Sequence, residues 1–264
     1  MLGLEARRWG ATAWLSATGH VGESRLFLID YAIRALRVAV LASIWTMLVA
    51  ADPDASPLPL AALLSWVVLA EGFAQLIALE SGLAQAFWQG TLVHYFLRPT
   101  GVARQFAAEG AGRALIDFVL FSLPLFAIAP LFGVSLAPAS GAAGWLFPLS
   151  LALSLAVGLA LEFVGGALAL WSDQPIWLID NARRTLVQLL SGALVPLAVL
   201  PWGLGDALAW LPFAATAWAP LALYGGLEAA PRLLALQLGW ALALWTLALA
   251  LWRGGRERVV AYGG

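Results

Sequence analysis

Two carboxylates lie inside apolar stretches where an ionised group is expensive: Glu71 in LPLAALLSWVVLAEGFAQLIAL (58–79) and Glu162 in WLFPLSLALSLAVGLALEFVGGALALW (145–171). At a helical rise of about 1.5 Å per residue, both sit roughly 12–14 Å from the same face of a membrane. A charge at that depth costs about 2.5–3.5 kcal/mol even on the mild insertion scale, so both must face protein or water. Carboxylates so placed can carry a proton in an ion-coupled carrier, or serve as acid and base in an embedded enzyme. They can also simply join helices. Glu162 ends a stripe of Ser150, Ser154, Gly158 and Glu162 at every fourth residue. Small and hydroxylated residues at that spacing form a helix-packing face or line a polar path. Glu71 shares a helical face with Gln75, and Thr185 shares one with Gln188 and Gly192. The candidate pathway residues are therefore Glu71, Gln75, Ser154, Glu162 and Gln188, with helix packing as the competing assignment.

Other chemistry is excluded by what the chain lacks. It has no cysteine, hence no thiol nucleophile, thiolate metal site or disulfide framework. All fourteen basic residues are arginine, so neither a P-loop lysine nor a Schiff-base lysine exists. His20 and His94 are far apart and outside any HExxH pattern, and no metal site is expected. No GxSxG elbow or other nucleophile arrangement is present. A net charge of −1 argues against a nucleic-acid partner. Nothing here argues for catalysis, and no cofactor of the chain's own is expected. If ATP drives the protein, another chain must bind the nucleotide and its magnesium.

These residues need a lipid-embedded scaffold. The sequence is 62% hydrophobic and 11% charged, against about 45–50% and 25% in soluble domains. The reading is an all-α integral membrane protein, a single transmembrane domain over 1–264. Its six helices are expected at about 31–51, 58–79, 114–134, 145–171, 185–202 and 232–252. DPDASP (52–57) marks the first turn. The N-terminal segment has no continuous apolar core of signal-peptide length, and is expected to lie in the interface with Trp9 and Trp14 at headgroup level. Residues 203–226 are apolar but cut by Pro212, Pro220 and glycines, which predicts two short re-entrant or external helices.

Six spans put both termini on one side. That side holds every arginine except Arg232, which makes it cytoplasmic. Asp30, Arg34 and Arg37 share a face, with Asp30 and Arg34 able to pair and both arginines able to snorkel to headgroups. The long cytoplasmic stretch HYFLRPTGVARQFAAEGAGRALID (94–117) carries a charge ladder of Glu109, Arg113 and Asp117. It predicts a short exposed helix broken at Arg98-Pro99 and Gly110. Such a segment is a solvated connector or a docking element for a soluble partner.

Three stretches together resemble the membrane subunits of ABC transporters of the second, exporter-like permease class, in their small six-span bacterial branch. They are GTLVHYFLRPTGVARQFAAEGAGR (90–113), LLSGALVPLAVLPWGLGDALAWLPFAATAWAPLALYGG (189–226) and QLGWALALWTLALALWRGGRERVVAYGG (237–264). The resemblance implies a coupling helix within 88–113 that meets an ATPase subunit, with Arg98, Pro99, Arg104 and Glu109 near the contact. It implies short external helices at 203–226 capping the pathway. The first and fifth spans would meet a second permease subunit, identical or homologous, and the pair would export cargo across a bacterial inner membrane. An ion- or proton-coupled carrier using Glu71 and Glu162 is the alternative.

Overall fold

The computed structural model of the protein describes residues 10–11, 27–53, 56–77, 80–98, 101–172 and 174–262. Trp9, Trp14 and Pro99 lie outside the described residues, and with them the expected interfacial segment and the Arg-Pro break. Among the described residues there is no strand. The helices are α1 (Phe27–Ala51), α2 (Leu60–Gly72), α3 (Ala74–Ile77), α4 (Leu83–Trp88), α5 (Leu92–Phe96), α6 (Val102–Asp117), α7 (Leu123–Ile128), α8 (Gly141–Ser172), α9 (Ile176–Leu190), α10 (Leu204–Ala209), α11 (Trp218–Gly225) and α12 (Ala230–Tyr262).

Among the described residues, four stretches are long and apolar enough to cross a membrane: Tyr31–Ala51, Val102–Phe132, Gly141–Ser172 and Ala230–Gly254. The other two segments expected to span are interrupted. The second divides after Gly72, where Phe73 leaves the helical path and packs its ring at 4.8 Å from Phe147 and 5.1 Å from Phe126. Gly72 permits this approach, because a Cβ there would overlap the Phe126 ring.

The fifth segment departs further from expectation. Its helix starts at Ile176 and stops at Leu190, instead of running from 185 to 202. Gly192 then takes a positive φ of +81°, open to glycine without a Cβ penalty. The freed carbonyls are satisfied inside the protein: Trp218 N–H donates to Ser191 O at 2.8 Å and Trp66 Nε1 to Gly192 O at 3.1 Å. Unwound backbone at such a place is stable only when buried groups bond it. Residues 203–226 form two short helices, α10 and α11, as their prolines and glycines suggest.

The third span also begins earlier than expected. α6 starts just after Gly101 and continues through Gly110 without a break, then through a π-helical turn at Phe118–Ser122 and α7 to a 3₁₀ turn ending at Phe132. Glycine inside a helix costs about 1 kcal/mol, but here Gln105, Phe106, Ala108, Gly110, Gly112 and Ala114 all lie buried against the rest of the protein. Packing overrides propensity. The π turn precedes Pro124, whose ring would otherwise strike the Leu120 carbonyl one turn earlier.

α8 is the central post, and its most extensive contact is with α12. Two indoles of α12 one heptad apart bond carbonyls of α8 one heptad apart: Trp245 Nε1 to Ala156 O at 3.0 Å and Trp252 Nε1 to Phe163 O at 2.8 Å. At Gly166 a Cβ would sit only 3.0 Å from Leu83 and 3.3 Å from Trp252, so α4 and α12 both close on this glycine.

Candidate functional site

Polar contacts gather the start of α1, the end of α2, the start of α6, the end of α8 and the start of α9 at one end of the bundle. Arg37 of α1 pairs with the buried Glu71 of α2 at 3.3 Å. Arg34 lies over the Phe121 ring at 4.3 Å, and the Gln75 amide oxygen, oriented toward it, accepts from its Nη1 at 3.2 Å. These two arginines were expected to snorkel toward headgroups. They turn inward instead, because the Glu71 carboxylate at the end of α2 and the Gln75 amide on α3, just past the break at Phe73, offer charge-assisted bonds in a low-dielectric setting.

On the far side of α2, Asp180 of α9 accepts from Arg183 Nη2 and Arg184 Nε, each at 2.7 Å. Arg184 also pairs with Glu80. A cavity of about 360 Å³ opens between these groups. Arg37, Glu71, Glu80, Arg183 and Arg184 form its charged rim, and its depth reaches Gly158, Ser191 and Thr216. It has the size of a small-molecule site, with apolar walls and a few convergent polar groups.

Of the predicted pathway residues, Glu71 and Gln188 line this cavity. Gln75 stands beside Arg34. Ser154 donates its hydroxyl to the Thr216 carbonyl, and Ser150 donates to Gln237 Oε1 at 2.7 Å. Glu162, 4% exposed, accepts from the Ser81 N–H at 3.0 Å. The stripe of α8 therefore faces three different neighbours.

The predicted coupling residues lie around α5 and α6. Glu109 accepts from the Tyr95 hydroxyl at 3.1 Å, Gln105 Nε2 at 3.3 Å and Arg98 Nη1 at 3.5 Å. Burial, and then the Glu109 charge, push the Tyr95 hydroxyl above its usual range, which keeps it protonated as the donor. Arg98 rests over the Tyr95 ring at 4.9 Å. Arg104 is exposed on the first turn of α6. Arg113, instead of extending a ladder with Glu109, donates to the Ser81 carbonyl. Beyond these, Trp88, Phe96 and Leu97 expose apolar surface, Leu97 to 82%.

Glu80, Ser81 and Asp180 are the site residues that sequence reasoning missed. For Glu80 and Ser81 the only signal was a polar pair closing an apolar run, which is indistinguishable from any loop, whereas Asp180 stands three and four residues before Arg183 and Arg184, a helical ion-pair spacing. Among the described residues no cluster of histidine and acidic side chains is arranged to hold a metal ion.

The profile of the ABC-2 family transporter proteins matches residues 60–263, more than half of the chain. The chain belongs to the ABC-2 family of transporter proteins. It is a multi-pass membrane protein and the permease type of component in an ABC transporter, a transport subunit and not itself a catalyst. The matched region begins with α2 and, among the described residues, includes the arginine-rich end except α1. A search of curated proteins returned no match.

Proposed function

We propose that this ABC-2 permease forms the export pathway of an ATP-driven transporter of a bacterial inner membrane. On this reading its termini are cytoplasmic, six membrane segments make one permease domain, and separate ATPase subunits bind ATP and magnesium. The observation that carries the reading is the match over 60–263, joined to an arginine-rich end whose exposed Arg98, Arg104 and apolar Phe96 and Leu97 surround the start of α6. Charged and apolar side chains mixed on one exposed tip suit docking to a soluble partner. Residues 88–113 are the proposed coupling region.

Pairing with a second permease is supported by α1. Ile33, Leu36, Val40, Ile44 and Met47 all stand exposed on it, a face that must meet lipid or protein. α9 exposes Leu186 and Leu189 beside the cavity in the same way. The cavity at the arginine-rich end is the proposed cargo entry, with Glu71 and Gln188 on its wall.

The test is affinity purification of the tagged full chain from its native membrane in mild detergent. An ABC ATPase copurifying in fixed ratio is the expected result. A chain that purifies alone, and moves cargo down an ion gradient in vesicles, overturns the reading in favour of a carrier that uses Glu71 and Glu162.

A further inference from the structure

Glu80, Ser81 and Gly82 belong to no helix, yet four helices hold them. Ser81 is fully buried, and each of its polar atoms is engaged. Its N–H donates to Glu162 Oε2 of α8 at 3.0 Å, and its carbonyl accepts from Arg113 Nη2 of α6. Its Oγ accepts from the N–H of Leu83, the first residue of α4, at 3.2 Å. Glu80, half exposed, pairs with Arg184 of α9, which in turn holds Asp180. Gly82 takes a φ of +84°, and a Cβ there would lie 2.8 Å from the Arg113 guanidinium, so the turn is closed against that side chain.

The chain leaves this node directly into α4, which packs on α8 and α9, and then into α5. A shift of α4 and α5 therefore cannot occur without moving α8 and α9 or breaking bonds at Ser81. The members differ in strength. Two of the three Ser81 bonds are fully buried and the third partly so, and two involve charged side chains, which makes them costly to break. The Glu80–Arg184 pair is half in solvent and weak. Displacement is thus passed on through Ser81 while the Glu80 pair sets how tightly α9 follows.

We propose that Glu80–Gly82 is the relay that transmits movement of the α4–α5 segment to α8 and α9. In it Glu162 is a positioning residue, a fixed acceptor for the Ser81 N–H and not a proton carrier. The inference rests on the reading that residues 88–113 meet an ATPase.

The test is amide hydrogen exchange on the full permease copurified with its ATPase in lipid nanodiscs, with and without a non-hydrolysable ATP analogue. In the unaltered complex the analogue is expected to change exchange in both 83–98 and 176–190. Glu162→Gln, whose amide oxygen can still accept from Ser81, keeps both responses. Glu162→Ala keeps the response in 83–98 and loses that in 176–190. Glu80→Ala, at a half-exposed position that folding tolerates, reduces the 176–190 response in the same direction, so the inference stands or falls even if Glu162→Ala misfolds. An undiminished 176–190 response in Glu80→Ala and in any folded Glu162→Ala overturns the relay. Loss of that response in Glu162→Gln overturns the fixed-acceptor role. No response in 83–98 of the unaltered complex, or no copurifying ATPase, overturns the docking reading beneath it.

Discussion

The two ends of this permease are held by different chemistry. At the arginine-rich end, ion pairs dominate: Arg37 with Glu71, Arg184 with Glu80 and Asp180, Arg98 with Glu109, several with one partner half in solvent. Toward the opposite end the bonds are mostly neutral and buried. Gln237 donates to Ser150 O at 3.0 Å and to Ala215 O at 2.9 Å, and the Tyr224 hydroxyl donates to Leu136 O at 2.6 Å. Trp66 and Trp218 pack 5.2 Å apart in the core there. Half-exposed ion pairs can exchange partners at small cost, whereas buried neutral bonds have no substitute in lipid. One end is thus suited to moving and the other to staying fixed.

The largest effect should come from Trp66→Ala, which removes a buried indole, its bond to Gly192 and its contact with Trp218. A loss of about 3–5 kcal/mol is expected, read as a large fall in the thermal midpoint of the detergent-solubilised protein. Gln237→Leu should follow at about 1–3 kcal/mol, because it leaves the Ser150 hydroxyl and the Ala215 carbonyl without their partner. Should either change lower coupling and leave stability intact, the fixed-end description is wrong. Arg37→Gln should cost about 1–2 kcal/mol, less than stranding a fully buried carboxylate, because Arg37 is half exposed and the cavity beside Glu71 is open. Adding Glu71→Gln should restore most of it, and a double variant worse than the single would break the assignment of that pair. Arg232→Ala should be smallest, about 0.5 kcal/mol or less, since its pair with Glu228, in the bend just before α12, is exposed to solvent.

Much of this was legible in the sequence because lipid imposes simple rules. Long apolar runs with few charges located α1, α8 and the membrane part of α12, and proline and glycine spacing located α10 and α11. The interruptions at Phe73 and after Leu190 were not legible, because their carbonyls and rings are satisfied by Trp66, Trp218, Phe126 and Phe147, all distant in sequence. Gly110 was misjudged for the same reason: a helix breaker by propensity becomes a packing residue once a neighbour closes on it. Glu71 and Glu162 stood out as costly charges, but only the folded chain shows Arg37 and Ser81 as their partners.

Coupling to an ATPase is assigned to the arginine-rich end. It is tested most directly by ATP hydrolysis of the purified complex in nanodiscs, with the permease unaltered or carrying Arg98→Glu and Arg104→Glu together. The account predicts that the altered permease keeps its thermal midpoint and still copurifies with the ATPase, while its stimulation of hydrolysis is lost. Hydrolysis at the unaltered rate in that assembled complex would contradict it.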